Sequence, residues 1–168
     1  FGMNLIQLGK SDTTAICGVE TINELSFWSG MKMGLFGRDI KPFDKNRTKT
    51  VQGEGAVVLI MESIESAKER EAYIYCTIPA YDVRRFETTM YEKGHGQCLE
   101  ASMEQVLRKS DTHTDKIGYL CAHVMGDSIY DKIESDGMNH FFGEALYNIP
   151  FSSVKSFLGN PVSMIGLF

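Results

Sequence analysis

Residues 117 to 134 read Ile-Gly-Tyr-Leu-Cys-Ala-His-Val-Met-Gly-Asp-Ser-Ile-Tyr-Asp-Lys-Ile-Glu, and the fold is decided here. The stretch opens as an apolar run of strand length that stops at His123. A Gly126-Asp127-Ser128 turn follows, and apolar residues resume as Ile129, Ile133 and Phe141 at helical spacing. The pattern is strand, turn, helix, and it places His123 at the carboxyl end of a buried strand, the edge at which open α/β sheets bind ligands. On these residues alone, a hydrogen-bonded structural histidine is the commoner outcome. Asp127 or Ser128 ahead of Ile129, with Asp131 in the first turn, reads as ordinary capping and dipole matching.

Working outward, residues 149–154 form another apolar strand candidate, and Asn160-Pro161 reads as a helix start with Asn160 as cap. Residues 98–109 carry Leu99, Met103, Val106 and Leu107 on one face and end in Arg108-Lys109, an amphipathic helix with the charge its dipole favours. Residues 110–116 are a polar turn with an exposed His113. Residues 84–97 lack a period, contain Gly94-His95-Gly96, and read as a loop between two halves. Further back, 13–19 reads as a buried strand, 57–61 as a continuous apolar strand and 73–83 as a long strand, with 63–71 a short helix capped by Ser63. Residues 1–10 read as the end of a helix, 41–52 as an ordered loop, and 22–36 as an aromatic and Met-rich helical stretch broken by Gly30 and Gly34. Gly53-Glu54-Gly55 precedes a strand, the wrong order for a phosphate cradle, and is assigned to close backbone packing.

The chain has 168 residues, 43% hydrophobic and 23% charged, with a formal net charge of −5. That describes one soluble domain with a real core and gives no electrostatic reason to expect nucleic acid. No apolar run approaches the roughly 20 residues that span a bilayer, so no membrane is expected, and no secretion signal is recognised at the start. Cys17, Cys76, Cys98 and Cys121 are widely spaced and never at CxxC distance. Cys17, Cys76 and Cys121 fall in apolar runs, which implies buried reduced thiols in a cytoplasmic protein, with no disulfide and no metal site.

Several words of this sequence resemble the β-ketoacyl synthases of fatty-acid and polyketide assembly, in the branch that elongates chains. They are Cys-Gly-Val-Glu at 17–20, Pro-Phe-Asp-Lys-Asn-Arg at 42–47, Gln-Gly-Glu-Gly-Ala-Val-Val-Leu-Ile-Met-Glu at 52–62, Ala-His at 122–123 with Asp131 and Glu134 downstream, Phe-Phe-Gly at 141–143, and Ser-Ser-Val-Lys-Ser-Phe-Leu-Gly at 152–159. The resemblance implies an α/β thiolase-like fold, layered α/β/α/β/α and usually dimeric. This chain would cover the middle and part of the C-terminal half only, with 1–83 the remainder of the N-terminal half and 84–168 the first part of the C-terminal half. It also implies a nucleophilic Cys, two His and a Lys. The first His falls on His123, the Lys on Lys155 and the second His on Asn160, with Asp131 and Glu134 as structural support. No cofactor is implied beyond the phosphopantetheine arm of an acyl carrier protein, which brings substrate.

Three departures from the family pattern accompany the resemblance. The nucleophile position falls before Phe1, and none of the four cysteines reads as a substitute. Val124-Met125-Gly126-Asp127-Ser128 replaces a small, hydroxyl-rich turn. Asn160 can donate to an oxyanion but cannot cycle a proton near neutral pH as imidazole does. The chain also stops before the family's glycine-rich carboxyl-terminal segment, so it is expected to be a piece that is poorly soluble or molten alone.

The expected function is that of a chain-length-factor-like subunit, paired with an active ketosynthase and an acyl carrier protein. Phe27, Trp28, Met31 and Met33 would then line a dimer face or tunnel wall. Two alternatives stand beside it. One is a fragment of an active condensing enzyme, since initiating synthases use Cys, His and Asn and Gly159-Asn160-Pro161-Val162-Ser163 resembles their Asn motif. The other is a scaffold that keeps the fold alone.

Overall fold

The strand, turn and helix around His123 form a small parallel unit. In the computed structural model, which describes residues 1–85 and 95–167, β3 (Leu120–Cys121) pairs in parallel with β4 (Phe151–Ser152). The Leu120 N–H donates to Pro150 O at 3.0 Å and the Ala122 N–H to Ser152 O at 2.8 Å. Both strands are far shorter than the expected 117–123 and 149–154. Between them runs α5 (Tyr130–Phe142), ended by Gly143 at φ 54°, which only glycine adopts cheaply. Asp127 begins the helix, its Oδ1 accepting from the N–H groups of Ile129 at 2.8 Å and Tyr130 at 3.0 Å.

Helix α4 (His95–Lys109) starts three residues before the expected 98, so His95 and Gly96 lie in helix rather than loop. The rest of that expected loop, 86–94, lies outside the described residues. Helices α4 and α5 meet backbone to backbone, because a Cβ on Gly137 would stand 3.0 Å from the Gly96 carbonyl oxygen. Glu100 on α4 holds His140 on α5 at 2.7 Å. Met138, Phe142, Leu146 and Ile149 form the buried apolar cluster beneath this unit, with Phe43, Met103, Ile117 and Leu120 packed against it. Fully burying such side chains is worth roughly 1.5–3 kcal/mol each.

The first half of the chain holds an antiparallel pair, β1 (Thr13–Glu20) with β2 (Gly55–Glu62). β1 alternates in exposure along its whole length and β2 as far as Ile60. α1 (Gly2–Gln7) and Met164 cover one face, with Gly18 and Gly2 allowing the approach. The other face presents Ala15, Cys17, Val19, Val58 and Ile60 to solvent, so the strand expected to be buried at 13–19 is covered on one face only. Cys17, Cys76 and Cys121 are free and exposed, contrary to the buried thiols expected, because apolar runs report composition and not what lies over them. α2 (Glu24–Lys32) is capped by Asn23, whose Oδ1 accepts the Ser26 N–H at 2.9 Å, and α3 (Ile64–Glu69) by Ser63, accepting the Ser66 N–H at 3.2 Å.

Two expected elements are absent. Residues 73–83 pair with no strand among the described residues, and Tyr73, Tyr75 and Val83 are exposed. Their β propensity is real, but a strand exists only with a ladder partner. The segment is instead tied down by Lys109 Nζ on Tyr81 O at 3.0 Å and by the Tyr81 hydroxyl on Asn4 Oδ1. Asn160-Pro161 opens turns and a single 3-10 turn at Ile165–Leu167 rather than a capped α-helix, because the Asn160 side chain is used elsewhere. Among the described residues, no helix is long and apolar enough to cross a membrane, and no cluster of His, Cys, Asp and Glu could hold a metal ion.

Candidate functional site

The loop after β3 and the short helix α6 (Lys155–Leu158) after β4 stand side by side, as parallel pairing requires. His123 is the second residue past β3 and is exposed, not the buried strand end expected. Lys155 opens α6 and is 1% exposed. Its Nζ lies 3.2 Å from His123 Nδ1, 3.1 Å from Nε2 and 2.5 Å from the His123 carbonyl oxygen. The ammonium is therefore equidistant from the two ring nitrogens and fixes both ring and backbone.

Ser153 locks the two loops together. Its hydroxyl donates to Val124 O at 2.8 Å and accepts the Lys155 N–H at 3.4 Å, and the residue is 4% exposed. Sequence reading passed over it, although a serine two residues before a helix start is a recognisable local turn signal.

Asp131 and Glu134, one turn apart on α5, serve this same edge. Glu134 Oε1 accepts the His123 N–H at 2.7 Å. Asp131 is 0% exposed. Its carboxylate accepts the N–H of Phe43 at 3.1 Å, Met125 at 2.9 Å and Gly126 at 3.1 Å, and Arg47 Nε stands 3.6 Å away. Asp131 is thus no exposed dipole-matching residue. It is the buried anion around which the Pro42-to-Arg47 loop and the turn after His123 are gathered.

Burial pushes the Lys155 ammonium down to about 8, opposed by the nearby carboxylates of Glu134 and Asp131. Although the residue as a whole is exposed, partial desolvation of its ring lowers the His123 imidazole, reinforced by the Lys155 charge and opposed by Asp131. Glu134 is raised, again chiefly by burial, with the N–H groups of His123 and Val124 opposing. Near neutral pH the site holds a neutral imidazole with one N–H to donate, beside a largely protonated lysine that sheds its proton more easily than usual.

Asn160 joins through the turn after His123. Its backbone N–H donates to Val51 O at 2.7 Å, and its Nδ2 donates to Met125 Sδ at 3.7 Å. Its loop lies against Gly53, where a Cβ would stand 2.3 Å from the Leu158 carbonyl oxygen, and Gly159 takes φ 72°. The close packing expected of the Gly-Glu-Gly word thus places Asn160. His123 and Lys155 touch directly, and Asn160 is linked to them through Met125, a residue noted from sequence only for its bulk. The arrangement can offer N–H donors to charge developing on a carbonyl oxygen.

The family model for the C-terminal domain of beta-ketoacyl synthases matches residues 75–168. A putative polyketide beta-ketoacyl synthase 1 of Streptomyces virginiae is 31% identical over 126 residues, 75% of this chain and 30% of that protein. The tetracenomycin polyketide synthase ketoacyl synthase alpha subunit of Streptomyces glaucescens is 28% identical over 178 residues, 99% of this chain and 41% of that protein. The chain therefore spans less than half the length of these curated relatives. Among solved structures, the ishigamide ketosynthase/chain length factor superposes with a TM-score of 0.87 at 25% identity, over 98% of this chain and 40% of that one. A type II polyketide synthase acyl-carrier protein in complex with its ketosynthase matches with a TM-score of 0.85 at 26% identity, over 99% and 45%. The thiolase-like ketosynthase fold expected from the sequence is the fold observed.

Proposed function

We propose that this chain, which belongs to the β-ketoacyl synthase family, supplies the His123, Lys155 and Asn160 side of an acyl-condensing pocket. In this reading it acts as the chain-length-factor-like partner of an active ketosynthase. The reaction is a decarboxylative Claisen condensation. A malonyl thioester on the phosphopantetheine arm of an acyl carrier protein loses CO2, and its electron pair passes to the thioester oxygen as an enolate. The enolate carbon then attacks an acyl group held on a cysteine of the partner, forming the carbon–carbon bond and releasing the thiolate.

The roles of this chain's residues follow from chemistry. The His123 imidazole N–H and the Asn160 carboxamide would donate to the enolate oxygen, and Lys155 would hold the imidazole in place. The observation that carries the reading is Asn160 pinned beside the loop after His123 with its amide resting on the Met125 thioether. A carboxamide there can steady charge but cannot relay a proton, and it stands where the elongating branch carries its second histidine.

A second reading, part of an active β-ketoacyl-acyl-carrier-protein synthase, is favoured by the intact contact between Lys155 and His123. Sequencing the coding DNA upstream of the Phe1 codon separates the two. Gln, Ala or Gly at the family's nucleophile position supports the partner, and Cys there supports the enzyme.

A further inference from the structure

We propose that Met125 is a gate whose bulk lies over the Asn160 carboxamide and excludes thioesters from it until the side chain swings aside. This rests on reading His123 and Asn160 as donors to a thioester oxygen.

Both ends of the contact are fixed. The Met125 backbone is held by its N–H on Asp131 Oδ1 at 2.9 Å, and the next N–H, of Gly126, is on the same carboxylate. Asn160 is held by its N–H on Val51 O at 2.7 Å and is 9% exposed, so its amide has little freedom to turn to another acceptor. The Met125 sulfur, 3.7 Å from Asn160 Nδ2, therefore sits where an acyl oxygen would sit to be recognised by that amide.

The movable part is the methionine itself. A thioether is a weak acceptor, so little hydrogen-bond energy is lost when it leaves and more is gained when a carbonyl oxygen replaces it. Methionine has three rotatable bonds, and Met125 is only partly buried, so it has somewhere to go. Affinity for a thioester is then reduced by the fraction of time that the gate stands closed. The gate would select flexible, short acyl thioesters of pantetheine over bulky ones, which meet Met125 in any rotamer.

The test is titration of the natural protein that carries this sequence, with its partner subunit where one copurifies, with acetyl-pantetheine thioester, followed by calorimetry and by the Asn160 side-chain amide resonances. Met125→Ala should bind about tenfold more tightly than the unaltered chain, and Asn160→Ala in that background should remove the gain. Met125→Leu, which keeps the bulk without the acceptor, should stay within about twofold of the unaltered chain while still shifting the amide resonances. If the unaltered chain binds, His123→Ala abolishes binding and Met125→Ala gains nothing, the gate is overturned and the site reading stands. A gain in Met125→Leu equal to that in alanine also overturns the gate. Failure of every variant to bind the thioester overturns both.

Discussion

The Lys155 ammonium stands 3.1 Å and 3.2 Å from the two ring nitrogens of His123. The lysine's charge is one of the causes holding the imidazole below its usual value. Lys155→Met should therefore raise the His123 pKa toward the ordinary histidine range, read by following its imidazole proton resonances against pH. An unchanged or lowered value would mean that the two groups do not sense each other in solution.

Stability should depend on pH through the same lysine. Its folded value is about 8 against an ordinary 10.5, so between those limits the unfolded chain binds more protons and stability rises with pH. The full span corresponds to roughly 3 kcal/mol. Urea midpoints of the unaltered chain should gain on those of Lys155→Met as pH climbs from 8 to 10.5. Parallel curves would contradict this.

Asp131 should be the costliest single carboxylate to lose. It accepts from Phe43, Met125 and Gly126 with no exposure to water. Asp131→Ala strands those N–H groups together with the Arg47 charge, and should cost about 3–5 kcal/mol in chemical denaturation. Asp131→Asn keeps one acceptor oxygen and should cost clearly less. Equal losses would mean that charge, not hydrogen bonding, does the holding.

Cys121 precedes His123 by two residues, is free and exposed, and lies within electrostatic reach of Lys155. The partner reading expects it to stay unacylated. Incubating the chain with acetyl-pantetheine thioester and measuring its intact mass should show no added acetyl group. An adduct localised to Cys121 would show that this chain carries its own acyl acceptor.

Much of this was legible in the sequence wherever the signal is local. The Ser63 cap and the strand-turn-helix around His123 each need only a few neighbouring residues, and each is found. Family words then placed His123 and Lys155 in one site. What the sequence hid is carried by distance. Phe43 and Asp131, 88 residues apart, share a hydrogen bond, so local pattern showed Asp131 only as an ordinary first-turn residue, and its supporting role came from the family resemblance. The Asn160 amide meets Met125 35 residues away in sequence, so the helix cap expected of it never forms. Residues 73–83 have strand composition, but pairing depends on what else lies alongside. Exposure of Cys17 and Cys121 has the same origin, since an apolar run does not say what covers it.

The central claim is that His123 and Asn160 form one oxyanion-stabilising pocket that works without Cys17, Cys76, Cys98 or Cys121 as nucleophile. Decarboxylation of malonyl-pantetheine tests it most directly, because loss of CO2 needs the donors and no nucleophile. The natural protein that carries this sequence should release CO2 and acetyl-pantetheine faster than buffer does, and His123→Ala and Asn160→Ala should each slow release by about tenfold or more. Equal rates in the unaltered chain and in His123→Ala would contradict the account.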